Sequence, residues 1–161
     1  VTKLDNSFEF SPTSGGLATG MNSVHQGQES LWIGWPGIND EQIDKKSWTP
    51  LKKSLKKEGF FPVSLNNKEI ENFYFGLSNK ALWPLFHYFI EFSVFNENQW
   101  DSYYEVNKKF AESVLTNIQK GDTVWIHDYQ LMLCPKMIKD VRPDVTIGFF
   151  LHIPFPSFEI F

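Results

Sequence analysis

Arginine is all but missing from this chain: Arg142 is the one guanidinium in 161 residues. Phosphate-rich ligands usually recruit arginine forks, so a phosphate site of that kind needs an arginine from outside this chain. Cysteine is as scarce. Cys134 stands alone, which excludes a disulfide framework within the chain and fits a reducing compartment, the cytoplasm. No apolar run reaches the roughly 18 residues of a membrane-spanning helix, and no signal peptide opens the chain. The net charge is −4, whereas a nucleic-acid binder normally shows a basic face. There is no internal repeat, no low-complexity tract and no metal-ligand spacing. An initiating methionine is also missing. The chain opens on Val1 and stops at Phe161, and it reads as a fragment truncated at both ends.

What is present excludes disorder. Hydrophobic residues make up 42% and aromatics 17%, enough apolar surface for a real core in one domain over residues 1–161. The tail organises the rest. Val124-Trp125-Ile126 is an apolar run that stops at His127-Asp128-Tyr129. Leu133, Met137, Ile138 and Val141 then recur at helical spacing, and Thr146 to Leu151 forms a second apolar run that stops at His152. Two buried parallel strands joined by a crossover helix have this pattern. Ligands of open parallel sheets bind beyond the carboxyl ends of the strands, where Asp128 and His152 fall. Asp128 also suits a cap or turn, and His152 a strand end bonded to backbone. His127 and Asp128 are adjacent, so as strand residues they point to opposite faces, which disfavours chelation by that pair.

Earlier in the chain, Ser14-Gly15-Gly16 precedes a helical pattern from Leu17 to about His25. It is either a flexible turn or a place where backbone N–H groups meet a phosphate at a helix start. Leu31 to Gly37 is a strand entering a turn. Trp32 and Trp35 are core residues or, for one of them, a sugar-ring contact whose N–H donates. Ile38 to Trp48 reads as a polar surface connection. Thr49-Pro50 reads as N-cap and first position of a helix, with Leu51 and Leu55 inward, four lysines on a solvated face and Gly59 ending it. Phe60 to Leu65 is a strand. Asn96 to Gln119 is the longest helical pattern, with an apolar stripe that includes Trp100, Tyr103, Tyr104 and Phe110; nothing in it suggests chemistry. Helices alternating with short apolar strands specify an α/β domain with a mainly parallel sheet.

Four strings go further. His127-Asp128-Tyr129-Gln130-Leu131, Phe149-Phe150-Leu151-His152-Ile153-Pro154-Phe155-Pro156-Ser157, Trp32-Ile33-Gly34-Trp35-Pro36-Gly37 and the block from Asn72 to Tyr88 resemble the trehalose-6-phosphate synthase family, glycosyltransferase family 20. Its members usually read HDYHL, FFLHxPFPS, WxGWxG and YYxGFSNxxLWPxFHY. Gln130, Phe73 and Leu77 depart from these patterns. The resemblance implies the Rossmann-like N-terminal half of a two-domain GT-B glycosyltransferase. Such an enzyme transfers glucose from UDP-glucose to glucose 6-phosphate with retention, giving trehalose 6-phosphate, without metal or cofactor.

By that resemblance Gly15 and Gly16 meet the donor diphosphate, and His152 contacts the donor glucose. Trp35, Tyr74, Trp83 and Asp128 serve the acceptor sugar phosphate, Asp128 and His152 are the catalytic pair, and His87 is structural. Partners are the sugar nucleotide and the sugar phosphate, with no nucleic acid and no membrane, and oligomerisation of the full-length protein is left open. The fragment alone is expected to be inactive. A non-catalytic regulatory homologue that keeps the sugar pocket is the rival reading.

Overall fold

The computed structural model describes residues 2–3, 8–9, 30–43 and 45–160. Gly15, Gly16 and the helix expected over 17–25 lie outside them. The chain gathers into two compact units, Val1–Asn66 and Asn67–Phe161. No described helix is long and apolar enough to cross a membrane.

In the first unit, β1 (Thr2–Lys3) and β2 (Phe8–Glu9) pair antiparallel, and β3 (Trp32–Gly34) pairs parallel with β4 (Phe60–Pro62). The helix between them, α1, runs Lys45–Lys57. It starts well before Thr49-Pro50, so that pair is inside the helix and not its cap. The stretch read as a polar connection also buries Ile38 and Ile43, which form a core with Leu51 and Leu55 against Trp48. That burial outweighs the backbone hydrogen bond that Pro50 cannot donate from an exposed position. Lys52, Lys53, Lys56 and Lys57 are exposed as expected, and Lys52 Nζ lies 5.3 Å over the Trp48 ring. Gly59, at φ 78°, takes the left-handed conformation that ends the helix.

The second unit opens on a helix of changing pitch. α2 (Asn67–Glu69) passes into a π-helix, Ile70–Leu82, and then into α3, Trp83–Phe86. The wider turn is visible where Trp83 N–H donates to the carbonyl five residues back, at Ser78. π-Geometry is rare and recurs at functional sites. The helix packs on α4 (Glu97–Asn117), whose N-cap Asn96 accepts from Asn98 N–H. Phe73 meets Tyr103 at 5.7 Å between ring centres, and Lys109 pairs with Glu69 at 2.6 Å. Gly76 permits the approach: a Cβ there would meet the Gln99 side chain at 2.9 Å. The buried stripe of α4 is Tyr103, Val106, Asn107, Phe110 and Ala111. Trp100 and Tyr104, expected in it, are 51% and 46% exposed.

β5 (Thr123–His127), α5 (Cys134–Val141) and β6 (Thr146–Phe150) complete the unit. β5 and β6 are parallel in a register that sets Thr123 beside Thr146 and His127 beside Phe150. Both strands therefore end at one edge. The chain is α/β with parallel strands and flanking helices, as the sequence pattern specified.

Candidate active site

At the carboxyl edge of β5 and β6, the strand ladder continues one step, with Asp128 N–H donating to Phe150 O at 2.7 Å. There the backbone turns sharply. Asp128 has φ 72° and ψ 167°, a region that is essentially glycine's and costs a side-chain-bearing residue about 1–3 kcal/mol. Its Oδ1 accepts from Tyr129 N–H at 3.0 Å and from His152 N–H at 3.3 Å. Both bonds fall on Oδ1, and among the described residues Oδ2 accepts none. The carboxylate is thus a cap, as one reading of the sequence had it, and it also ties the ends of the two strands together with one oxygen to spare.

The loop that carries Asp128 is held from α4. Tyr103 O–H donates to Tyr129 O at 2.6 Å and accepts from Met132 N–H at 3.3 Å. Asn107 Nδ2 donates to Gln130 O at 2.9 Å, and its Oδ1 accepts from Leu133 N–H at 3.2 Å. Cys134 S–H points at the same residue, with Sγ 3.3 Å from its backbone O and 3.4 Å from Oδ1. Two buried side chains of one helix therefore satisfy four backbone groups at and after the short 3-10 turn Tyr129–Leu131, and buried backbone groups left unpaired are costly. Burial raises the Tyr103 phenol and pushes the Cys134 thiol up to about 12, so both stay neutral. The sequence reading missed this support. Its signal is a polar residue, Asn107, lying inside the apolar stripe four residues after Tyr103 and three before Phe110.

Tyr129 ties the loop to the π-helix, where its O–H donates to Asn79 Oδ1 at 2.9 Å. Its phenol is pushed up to about 12, first by burial and then by the charges of Asp128 and Tyr74. Tyr74 lies on the π-helix, where its ring meets Phe75 edge-on at 5.2 Å between centres. Trp83, at the start of α3, is 41% exposed. One face stacks on His87 at 4.1 Å between ring centres, and His87 Nδ1 lies 2.7 Å from Trp83 O. His87 is therefore a satisfied structural histidine that carries the indole. The segment after β6 docks on the same helix, through Phe155 against Phe86 at 5.4 Å and Ser157 N–H donating to Tyr88 O–H at 2.8 Å.

The structure thus places Tyr74, Trp83, Asp128 and His152 in one unit, with Asp128 and His152 at the strand ends. Trp35 belongs to the other unit, where its Nε1–H donates to Ile38 O at 3.1 Å. Arg142 lies at the opposite strand end, between α5 and β6, in a two-point pair with Asp144 at 2.8 Å; that guanidinium holds the Asp144 carboxyl down at about 2. Among the described residues no group of three or more metal-ligating side chains lies together.

The sequence and the fold both have known counterparts. The family model "Glycosyltransferase family 20" covers residues 2–161. The chain belongs to glycosyltransferase family 20. Among its relatives, the trehalose-6-phosphate synthase of Mycolicibacterium vanbaalenii is 40% identical over 100% of this chain and 33% of the relative. An alpha,alpha-trehalose-phosphate synthase [UDP-forming] of Botryotinia fuckeliana is 43% identical over 98% of this chain and 30% of the relative. Two solved structures share the fold. An E. coli trehalose-6-phosphate structure bound with UDP-2-fluoro glucose has TM-score 0.77 and 32% identity, over 96% of this chain and 34% of that one. A UDP-forming alpha,alpha-trehalose-phosphate synthase from Burkholderia xenovorans in complex with glucose-6-phosphate has TM-score 0.74 and 27% identity, over 92% and 32%. The family 20 chain described here therefore spans about a third of the length of these relatives, with the GT-B fold of their N-terminal half. Two of its departures from the family strings, Phe73 and Leu77, are each 4% exposed core positions, so they change packing rather than the open site.

Proposed function

We propose that this chain is the N-terminal part of a UDP-forming trehalose-phosphate synthase, which transfers glucose from UDP-glucose to glucose 6-phosphate with retention. The observation that carries the reading is the Asp128 carboxylate, fixed through Oδ1 at the strand edge with Oδ2 open beside His152. A carboxylate so held accepts hydrogen bonds from the acceptor's hydroxyls and orients it, and orientation is a large part of catalysis. Tyr74 and Trp83 line the acceptor's side, Trp83 offering an indole steadied by His87. His152 contacts the donor glucose, and Gly15 and Gly16 receive the diphosphate. Charge on the departing UDP is stabilised by oriented N–H groups and by basic side chains of the longer protein, since Arg142 is engaged by Asp144. No cofactor takes part, and the reaction belongs to the cytoplasm.

The test is UDP release by the full-length protein given UDP-glucose and glucose 6-phosphate, with the anomeric configuration of the product read by NMR. Release with α,α-linked product supports the proposal. Binding of both sugars without UDP release assigns the regulatory homologue instead. The 161-residue chain alone is expected to release no UDP above background, because GT-B transfer takes place in the cleft between two domains and this chain spans about a third of its relatives.

A further inference from the structure

His127, the last residue of β5, has no role in the reading above. Its Nδ1 lies 3.0 Å from Nε2 of His152. The ring planes are 23° apart and the centres 5.3 Å apart. That separation matches the nitrogen–nitrogen distance plus the two ring radii, so the imidazoles meet edge to edge through an in-plane hydrogen bond and do not stack face to face. Aromatic rings fix both partners: Trp125 is 4.7 Å from His127, and Phe150 is 4.7 Å from His152. The other nitrogen of His127, Nε2, is buried and has no hydrogen-bond partner among the described residues.

These facts determine where the protons sit. Burial first, then the neighbouring His152, lowers the His127 pKa, with Asp128 opposing, so His127 is the neutral imidazole. A neutral imidazole has one N–H and one bare nitrogen. Buried N–H groups without a partner are rarer than under-satisfied acceptors, which makes Nε2 the bare nitrogen and leaves the proton on Nδ1. His127 then donates, His152 Nε2 accepts, and the His152 proton is on Nδ1. We propose that His127 is a positioning residue that locks His152 in its Nδ1–H tautomer, so that the nitrogen His127 does not engage presents a hydrogen-bond donor to an oxygen of the glucosyl donor. The proposal rests on the reading that His152 contacts that sugar. Partners that fix a histidine's tautomer from behind typically matter by about 10–100-fold where they have been removed from metal sites.

Two variants of the full-length protein test it. His127→Phe keeps a ring beside Trp125 and removes the donor; His127→Asn places an amide N–H near the position of Nδ1. Nitrogen-15 imidazole spectra of the native protein should show His152 protonated at Nδ1, and that signature should be lost in His127→Phe. For UDP-glucose, kcat/KM should fall about tenfold in His127→Phe and largely recover in His127→Asn, with KM for glucose 6-phosphate unmoved. A native His152 protonated at Nε2, a tautomer unchanged in His127→Phe, or equal losses in both variants overturns the assignment. If His152→Ala uses UDP-glucose normally, the contact to the donor sugar is wrong, and that outcome is separate from the spectral one.

Discussion

Asp128→Gly separates the capping role of this residue from its proposed contact with the acceptor better than a conservative change does. At φ 72° and ψ 167°, glycine releases about 1–3 kcal/mol of backbone strain. Against this stand about 0.5–1 kcal/mol of extra chain entropy and two hydrogen bonds, at 3.0 and 3.3 Å, worth about 0.5–1.5 kcal/mol each. The His152 N–H is in an exposed position, where water takes over as acceptor. The gains and losses nearly cancel, so the thermal midpoint should move by no more than about 2–4 °C, the equivalent of about 1 kcal/mol for a chain of this size. Function should not be spared. A charged acceptor for a sugar hydroxyl is worth about 1.5–3 kcal/mol, so kcat/KM of the full-length variant should drop roughly ten- to hundredfold. Differential scanning calorimetry beside a UDP-release assay reads both quantities. Melting about 10 °C early with normal turnover per folded molecule would mean that Asp128 is a cap and nothing more.

Asn107→Leu should be the opposite case, since it leaves Gln130 O and Leu133 N–H without their partner. At about 1–3 kcal/mol per orphaned group, partly relieved by water at the loop, the loss is about 3 kcal/mol in chemical denaturation; an unchanged midpoint would remove the network from the account of the loop. Acid should weaken the fold through His127. Its pKa lies below the ordinary 6.5 in the folded chain, through burial and His152, so the unfolded chain takes up the proton first. Stability from this group is complete above about pH 6.5 and is lost as pH falls through the folded value. The midpoint of the native protein should therefore fall relative to that of His127→Phe between about pH 7.5 and 5.5, and a constant gap contradicts the neutral, partly buried imidazole.

Much of the second unit was legible because its signals are local and agree. The two apolar runs with polar ends are β5 and β6, and the apolar residues at helical spacing after Asn96 are α4. The misreadings have physical causes. Thr49-Pro50 looks like a helix start, but burying Ile43 and Trp48 with Leu51 and Leu55 extends the helix past it. The π-turns of Ile70–Leu82 were hidden because each wider turn shifts the apolar period away from 3.6, so the aromatic string gave no clean stripe. Trp100 and Tyr104 read as core because aromatics were weighed by type, whereas the stripe actually buried turns about Tyr103 and Asn107. The positions of Asp128 and His152 followed from strand ends. The bond from His152 N–H to Asp128 Oδ1 and the His127–His152 contact did not, because they depend on the register of two strands and on a backbone turn that no string of residues displays.

The central claim is that Asp128 at the strand edge holds the acceptor sugar. Calorimetric titration of glucose 6-phosphate into the full-length protein and its Asp128→Asn variant measures this directly. Asparagine keeps the size of the side chain and an oxygen for the two backbone N–H groups while removing the charge. The expected result is at least about tenfold weaker binding of glucose 6-phosphate, about 1.4 kcal/mol, with UDP affinity and thermal midpoint unchanged. Equal affinity of the two proteins for glucose 6-phosphate would contradict the assignment.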